Sequence, residues 1–193
     1  DDGTQVQIDA DVDGGVEEVV TLNEGESHLS VGTLREGARV IASAPVQVGL
    51  ITGDRDDIYE ARTFVLFPEE QWSDTYYSPV SPNAHVGGVP VNGTTAFLYN
   101  PHDTPLTVTR TISDGSTLDT VIQPMSGISV PIPLSTGVQF SSTDGRPFAA
   151  LAAIDSTDED PLENDKGDWG FAMIPEERLT TQALIGWGPG QDP

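Results

Sequence analysis

Asp9, Asp11 and Asp13 stand at alternate positions in the segment DADVDGG, and Gly14 follows the third of them at once. Carboxylates spaced in this way open the calcium loop of a helix-loop-helix hand, where they converge on the ion and a glycine makes the sharp turn. That loop also needs a bidentate glutamate at its twelfth position, and counting from Asp9 the twelfth residue is Val20. A hairpin with an acidic solvent face fits the segment better. Denser carboxylates follow in two loops, with Asp54, Asp56 and Asp57 in the first and Asp155, Asp158, Glu159, Asp160, Glu163, Asp165 and Asp168 in the second. Calcium takes roughly six to eight oxygen ligands from flexible loops, and carboxylates this close repel one another without a counter-ion. Asp155, Asp158, Asp160, Glu163 and Asp165 are therefore the candidate ligands for Ca²⁺, against the plainer reading of a solvated acidic run.

A second candidate group is aromatic. Trp72, Tyr76 and Tyr77 cluster in the first half, and Trp169 and Trp187 flank a related stretch of the second. Such rings could stack on a sugar, or they could pack a turn onto a sheet. Catalytic chemistry has little to build on. His28, His85 and His102 are scattered, with His102 in NPHDTP reading as a turn residue, and neither a Gly-x-Ser-x-Gly elbow nor a His-x-x-x-His spacing occurs. The absence of cysteine removes disulfides, thiol catalysis and thiolate metal sites together. The chain reads as non-enzymatic.

Charge narrows the partners. There are 31 acidic residues against 8 basic ones, a formal net of -23, and Lys166 is the sole lysine. Binding nucleic acid or an anionic membrane means neutralising phosphates with clustered Lys or Arg, and no cluster exists. No apolar run approaches the ~18 residues of a membrane span, and Asp1-Asp2-Gly3 is not the start of a signal peptide. Such an excess of carboxylates is tolerated in high salt, where screening shrinks to about 3 Å at 1 M. The composition is similar to that of proteins from halophilic microbes. Asn92-Gly93-Thr94 forms a glycosylation sequon, which suits a surface protein.

The elements that must position these residues come in two copies. When VQIDADVDGGVEEV is laid on TVTRTISDGSTLDT, Asp13-Gly14 falls on Asp114-Gly115, and further along Gly37 falls on Gly137 and Pro45 on Pro147. FVLFPEEQW, from Phe64, then falls on FAMIPEERL, from Phe171, so that Pro68 pairs with Pro175 after an insertion of about five residues in the second acidic loop. Each copy reads as β-structure. An Asp-Gly pair between alternating runs is a hairpin signal, which predicts strands over Val6 to Val12 and Val16 to Leu22. Further strands are expected at His28 to Leu34, Arg39 to Ser43 and Val46 to Ile51 in the first copy. Their partners are Ile128 to Leu134, Phe140 to Ser142 and Phe148 to Ile154, with Thr94 to Tyr99 opening the second copy. No stretch has a clean helical period, and 15 Pro with 20 Gly interrupt any candidate. Single turns are expected at Pro68 to Trp72 and Pro175 to Leu179, where proline suits the first position. The expectation is an all-β protein of two tandem β-sandwich-like domains related by internal duplication, residues 1–80 and 93–193, joined by a Pro- and Gly-rich linker at 81–92. The first copy has no counterpart of Thr94 to Tyr99 before Asp1, so either the chain is cut from a longer array or another segment supplies that strand.

The order GARVIASAPVQVGLITG, an acidic loop, and then FPEEQWSDTYYSPV resembles the extracellular β-repeat found at the N-terminus of IgG Fc-binding proteins and in many large bacterial surface proteins. Val40 to Val48 fits that family's V-A-S-x-P-V-x-V segment, and Trp72 to Tyr76 fits its W-x-x-x-Y stretch. The second copy departs from the pattern, with Leu179 in place of the tryptophan. The resemblance implies an extracellular location and a structural architecture, and its motifs match no immunoglobulin-binding residue set. The expected function is a structural or adhesive module of a cell-surface protein, stalk, surface layer or filament, whose partners are neighbouring copies of itself or other surface-protein domains. The alternative is a carbohydrate- or protein-binding module that uses Ca²⁺ in its acidic loops and the aromatics Trp72, Tyr76 and Tyr77.

Overall fold

The structure, a computed structural model, describes residues 1–52, 62–78, 80–81, 85–86, 89–156 and 169–182, with 85–86, 89–92, 155–156 and 169 described by their backbone. The described residues form fourteen strands and two single 3-10 turns, and no α-helix. The strands are β1 (Thr4–Asp9), β2 (Glu18–Leu22), β3 (Arg39–Ala42), β4 (Gly49–Thr52), β5 (Arg62–Val65), β6 (Thr75–Tyr77), β7 (His85–Val86), β8 (Val89–Asn100), β9 (Leu106–Ile112), β10 (Thr117–Ile122), β11 (Ser126–Pro131), β12 (Val138–Ser142), β13 (Ala149–Ser156) and β14 (Trp169–Ala172). The fold is all-β and every strand pairing is antiparallel.

The second half is a sandwich. One sheet runs β10-β9-β12-β6 and the other β11-β8-β13-β14, with β7 paired to β8. Alternation along the strands sends one set of side chains inward. Leu106, Val108, Ile122, Val138, Phe140 and Tyr76 from the first sheet meet Ala96, Leu98, Val130, Ala150 and Ala152 from the second, and Phe148 and Met173 complete the core. Tyr76 and Phe148 meet edge to face at 5.1 Å between ring centroids. The buried Asn100 closes one end: its amide donates to the carbonyls of Thr104, Ile122 and Gln123 at 2.9, 3.2 and 3.1 Å. That arrangement ties the end of β8 to the β9–β10 hairpin. The hairpin itself turns where Asp-Gly predicts, with Gly115 at φ 87°.

The first half has the same strand order with fewer strands. Its three-stranded sheet runs β2-β1-β3, matching β10-β9-β12, and β4-β5 matches β13-β14. Registers match as well. Val6 stands opposite Val20 and Ala42 as Val108 stands opposite Thr120 and Ser142, and Leu50 faces Phe64 as Ala152 faces Phe171. Even the hydrogen-bond phase agrees, since Leu66 N–H donates to the Val48 carbonyl at 3.1 Å and Met173 N–H to the Ala150 carbonyl at 3.0 Å. Each half then makes its 3-10 turn, Glu69–Gln71 after Pro68 and Glu176–Arg178 after Pro175. The prolines supply a fixed φ and need no donor at the first position.

Two expectations are corrected. His28 to Leu34 is not a strand. Its counterpart β11 exists by pairing with β8, and no strand of that kind lies beside the 28–34 segment among the described residues. Instead the Glu18 carboxylate gathers it in, accepting from Ser30 Oγ at 2.5 Å and Val31 N–H at 2.9 Å and meeting His28 Nε2 at 2.7 Å. The unit boundaries also shift. β6 falls inside 1–80 yet pairs with β12, and Ser73 bridges to Phe148, so the second sandwich begins ahead of residue 81. Residues 81–92, expected as a linker, carry β7 and the start of β8.

Candidate functional site

Corresponding positions in the two halves locate an insertion in the first hairpin. Ile8 faces Glu18 across β1 and β2, whereas Arg110 faces Leu118 across β9 and β10, so the first hairpin carries two more residues between its matched positions. The extra length goes into a loop that folds back on its own carboxylates. Asp9 Oδ1 accepts from Val12 N–H at 2.8 Å, Asp11 Oδ1 from Asp13 N–H at 3.2 Å, Asp13 Oδ1 from Gly15 N–H at 2.6 Å, and Glu17 Oε2 from Ala10 N–H at 2.5 Å. Gly14 takes φ 86°, and Val12 takes φ 67°. For a β-branched residue that left-handed conformation costs about 1–3 kcal/mol and persists only where its surroundings hold it. The loop is anchored from outside by Arg35 N–H donating to the Ala10 carbonyl at 2.8 Å.

These contacts bring one carboxylate oxygen each from Asp9, Asp11, Asp13 and Glu17 within 4.8 Å of one another. Counting from Asp9, they occupy loop positions one, three, five and nine, with Gly14 at six, which are places an oxygen-ligating Ca²⁺ loop uses. Position twelve, where such a loop takes a bidentate glutamate, is Val20 inside β2. The donor set is hard and anionic, suited to Ca²⁺ rather than to a soft metal, and one carboxylate short of a tight site. Counting only to position twelve missed Glu17. The signal that finds it is the hairpin: once the chain turns back at Gly14, a residue at position nine returns to face position one.

The other candidates fare differently. Asp155 lies in β13, its side chain outside the description, and Asp158, Asp160, Glu163 and Asp165 lie outside the described residues altogether. Trp72, Tyr76 and Tyr77 are neighbours in sequence but do not form one exposed surface. Tyr76 is only 2% exposed, which corrects its place among ligand-binding residues. Its hydroxyl donates to the Phe148 carbonyl at 2.7 Å and accepts from Ser73 N–H at 2.9 Å, and burial pushes its phenol from 10.0 up to about 12. Trp72 is half-buried, and its indole N–H donates to the Phe67 carbonyl at 3.0 Å. Tyr77 is exposed and already engaged, donating to Glu176 Oε1 at 2.8 Å and accepting from Gln139 Nε2 at 2.9 Å. The carboxylate of Glu176 accepting from it, with a smaller effect of burial, raises its phenol above the ordinary range. Of the three, Tyr77 alone offers much of its ring to solvent.

A last feature lies where the two halves touch. The tip of the Phe64 ring of β5 reaches Gly170 of β14, where a Cβ would overlap it. An open groove of about 280 Å³ runs alongside, lined by Thr63, Val65, Phe67, Gly170, Phe171 and Ala172.

Comparison with known proteins adds little. No protein-family model matches the chain, and no curated protein matches it. The crystal structure of Thermotoga maritima 1070 is similar at 14% identity over 55% of this chain and 97% of its own, with a TM-score of 0.38. A likeness of that degree carries no argument. Among the described residues, no helix is long and apolar enough to cross a membrane.

Proposed function

We propose that this chain is a non-enzymatic structural or adhesive module of an extracellular assembly, made of two copies of one β-unit in tandem. The observation that carries the reading is the matched register of β2-β1-β3 with β10-β9-β12, together with β6 crossing from the first half into the second half's sheet. Repeats joined by a shared ladder make a spacer of fixed geometry, as a stalk, surface layer or filament needs, whereas repeats joined by a free linker hinge. Neighbouring copies or other surface domains are its natural partners, in line with the resemblance to the β-repeat of bacterial surface proteins. The net charge of -23 suits a surface held soluble in salt. Protease treatment of intact source cells tests the location. An antibody against residues 1–193 should lose its signal after shaving, and a signal protected until lysis would refute an extracellular role.

A second reading is favoured by the convergence of Asp9, Asp11, Asp13 and Glu17. In it the module binds its partner, a glycan or a protein, through a Ca²⁺ held in this loop. With position twelve vacant of a carboxylate the affinity falls in the weak extracellular range, about 10⁻⁴ to 10⁻³ M. Saturation at about 100 times the dissociation constant then adds ~2.7 kcal/mol to the folded state. The melting temperature should rise between chelator and excess Ca²⁺, and Asp11→Asn should abolish the rise. An unchanged melt in both would remove the ion.

A further inference from the structure

The turn that leads into β3 reaches across to the other half, and its counterpart ahead of β12 does not. Ala38 N–H donates to the Arg35 carbonyl at 3.0 Å and Gly37 takes φ 90°, which makes a type II turn with Glu36 at its tip. The matched turn of the second half keeps the glycine, as Gly137, and has Thr136 in place of Glu36. The Thr136 hydroxyl stays within its own turn, donating to the Leu134 carbonyl at 3.1 Å. The Glu36 carboxylate instead accepts from Gly127 N–H of β11. The fit is close. A Cβ at Gly127 would lie 3.2 Å from the Glu36 carboxyl, and one at Gly37 would lie 2.9 Å from the Tyr99 hydroxyl of β8. Burial, and then the charge of Glu36, raise the Tyr99 phenol above its ordinary value of 10.0, with Arg39 opposing and Glu69 adding to the rise.

The first half also rests on β14, where the Phe64 ring tip reaches Gly170. β11 and β14 are the outer strands of the sheet β11-β8-β13-β14, so the two contacts stand three strand spacings apart, roughly 14 Å. Held on β14 alone, the first half is free to swing about that contact; held at both edges, it is not. The ladder of β6 with β12 does not replace either contact, because among the described residues β6 pairs with none of the strands β1 to β5. We infer that Glu36 sets the orientation of the first half on the second, as a clasp from the turn before β3 to the edge of β11. This rests on the reading of the chain as a spacer of fixed geometry, and it names the side chain that fixes it. A charged acceptor holds a backbone N–H about twice as strongly as a neutral one, and threonine at the same place ends two atoms sooner.

The test gives Glu36 its own counterpart in the full chain. In Glu36→Thr, hydrogen exchange at Gly127 should quicken at least tenfold and small-angle X-ray scattering should show a larger maximum dimension, while exchange in β9, β12 and β13 stays as it was. Glu36→Gln keeps an acceptor without the charge. It should keep the scattering of the parent chain and bring the Tyr99 phenol down toward 10.0 in an alkaline titration followed by NMR. Gly127→Pro removes the donor from the other side, at an edge N–H that faces Glu36 rather than β8. It should give the scattering of Glu36→Thr, and it serves where that variant does not fold. Two results would each overturn the inference: unchanged exchange at Gly127 in Glu36→Thr, or quickened exchange with the scattering of the parent chain, meaning that β5 on β14 is enough to hold the orientation. The outcome is separable from the location test. A chain that is shaved from cells yet swings freely without any substitution keeps its surface role and loses the clasp, and a fixed orientation in a protein confined to the cell interior does the reverse.

Discussion

The sheets β2-β1-β3 and β10-β9-β12 share their strand order and register, and they differ in how far they are buried. The difference is clearest at one matched pair. Phe140 of β12 stands opposite Arg110, and Val40 of β3 stands opposite Ile8, at corresponding places in their sheets. Phe140 is 1% exposed and Val40 38%. The second half has an opposing sheet to cover that position, built around β8, and among the described residues the first half has β4 and β5. A shared ladder pattern thus sets local structure in both halves, while burial follows β8, which has no counterpart in the first half among the described residues. The principal core cluster accordingly draws nothing from residues before Tyr76.

The sharpest test is to cut both members of that pair. Phe140→Ala should cost about 3–5 kcal/mol, as large-to-small changes in a closed core do, and Val40→Ala less than about 1 kcal/mol. Urea titration reads both as shifts of midpoint at constant slope. Equal costs would mean that the first half is as well covered as the second. Next in size is Tyr76→Phe, which leaves the Phe148 carbonyl and the Ser73 N–H without the hydroxyl they share. The loss should be about 1–3 kcal/mol. The pH dependence carries its own sign. The folded phenol, raised from 10.0 to about 12, stays neutral while the unfolded one ionises. Its contribution is therefore complete below pH 10 and is lost as pH rises toward 12. Alkaline titration of stability in the Phe variant should lack that part of the decline. A comparable effect joins the halves: Gly170→Ala should cost about 1–3 kcal/mol by driving a methyl group into Phe64. Combining it with Phe64→Leu should recover part of the loss in a double-mutant cycle. Full additivity would mean that β5 and β14 do not bear on each other.

What could be read from the chain follows from which forces are local. The Asp114-Gly115 hairpin, the strands around Arg39 to Ser43 and Phe148 to Ile154, and the turns after Pro68 and Pro175 depend on neighbours in sequence, and all were legible. β6 was not. Three residues, Thr75–Tyr77, are too few to show alternation, and their pairing is with Gln139–Ser141, far along the chain. Tyr76 and Tyr77 therefore looked like a surface pair when one of them is core. His28 to Leu34 failed for the opposite reason, because its pattern favours a strand and no strand lies beside it among the described residues. At the acidic hairpin the carboxylates were legible, but their convergence depends on the backbone at Val12 and Gly14, which composition does not reveal.

The pairing of β6 with β12 also sets a timetable. Tyr77 leaves the ribosome 62 residues ahead of its partner Gln139, so at about 5–20 residues per second it waits roughly 3–12 s. Tyr76 waits longer for Pro175, which bridges to it from 99 residues further on. Within that interval, between the synthesis of Asn100 and that of Ser126, β8 is already made while β11 and β13 are not. Nascent chains on one polysome therefore present matching sticky strands to one another. The first half, made earlier and dense in carboxylates, would repel a neighbouring nascent chain over that interval.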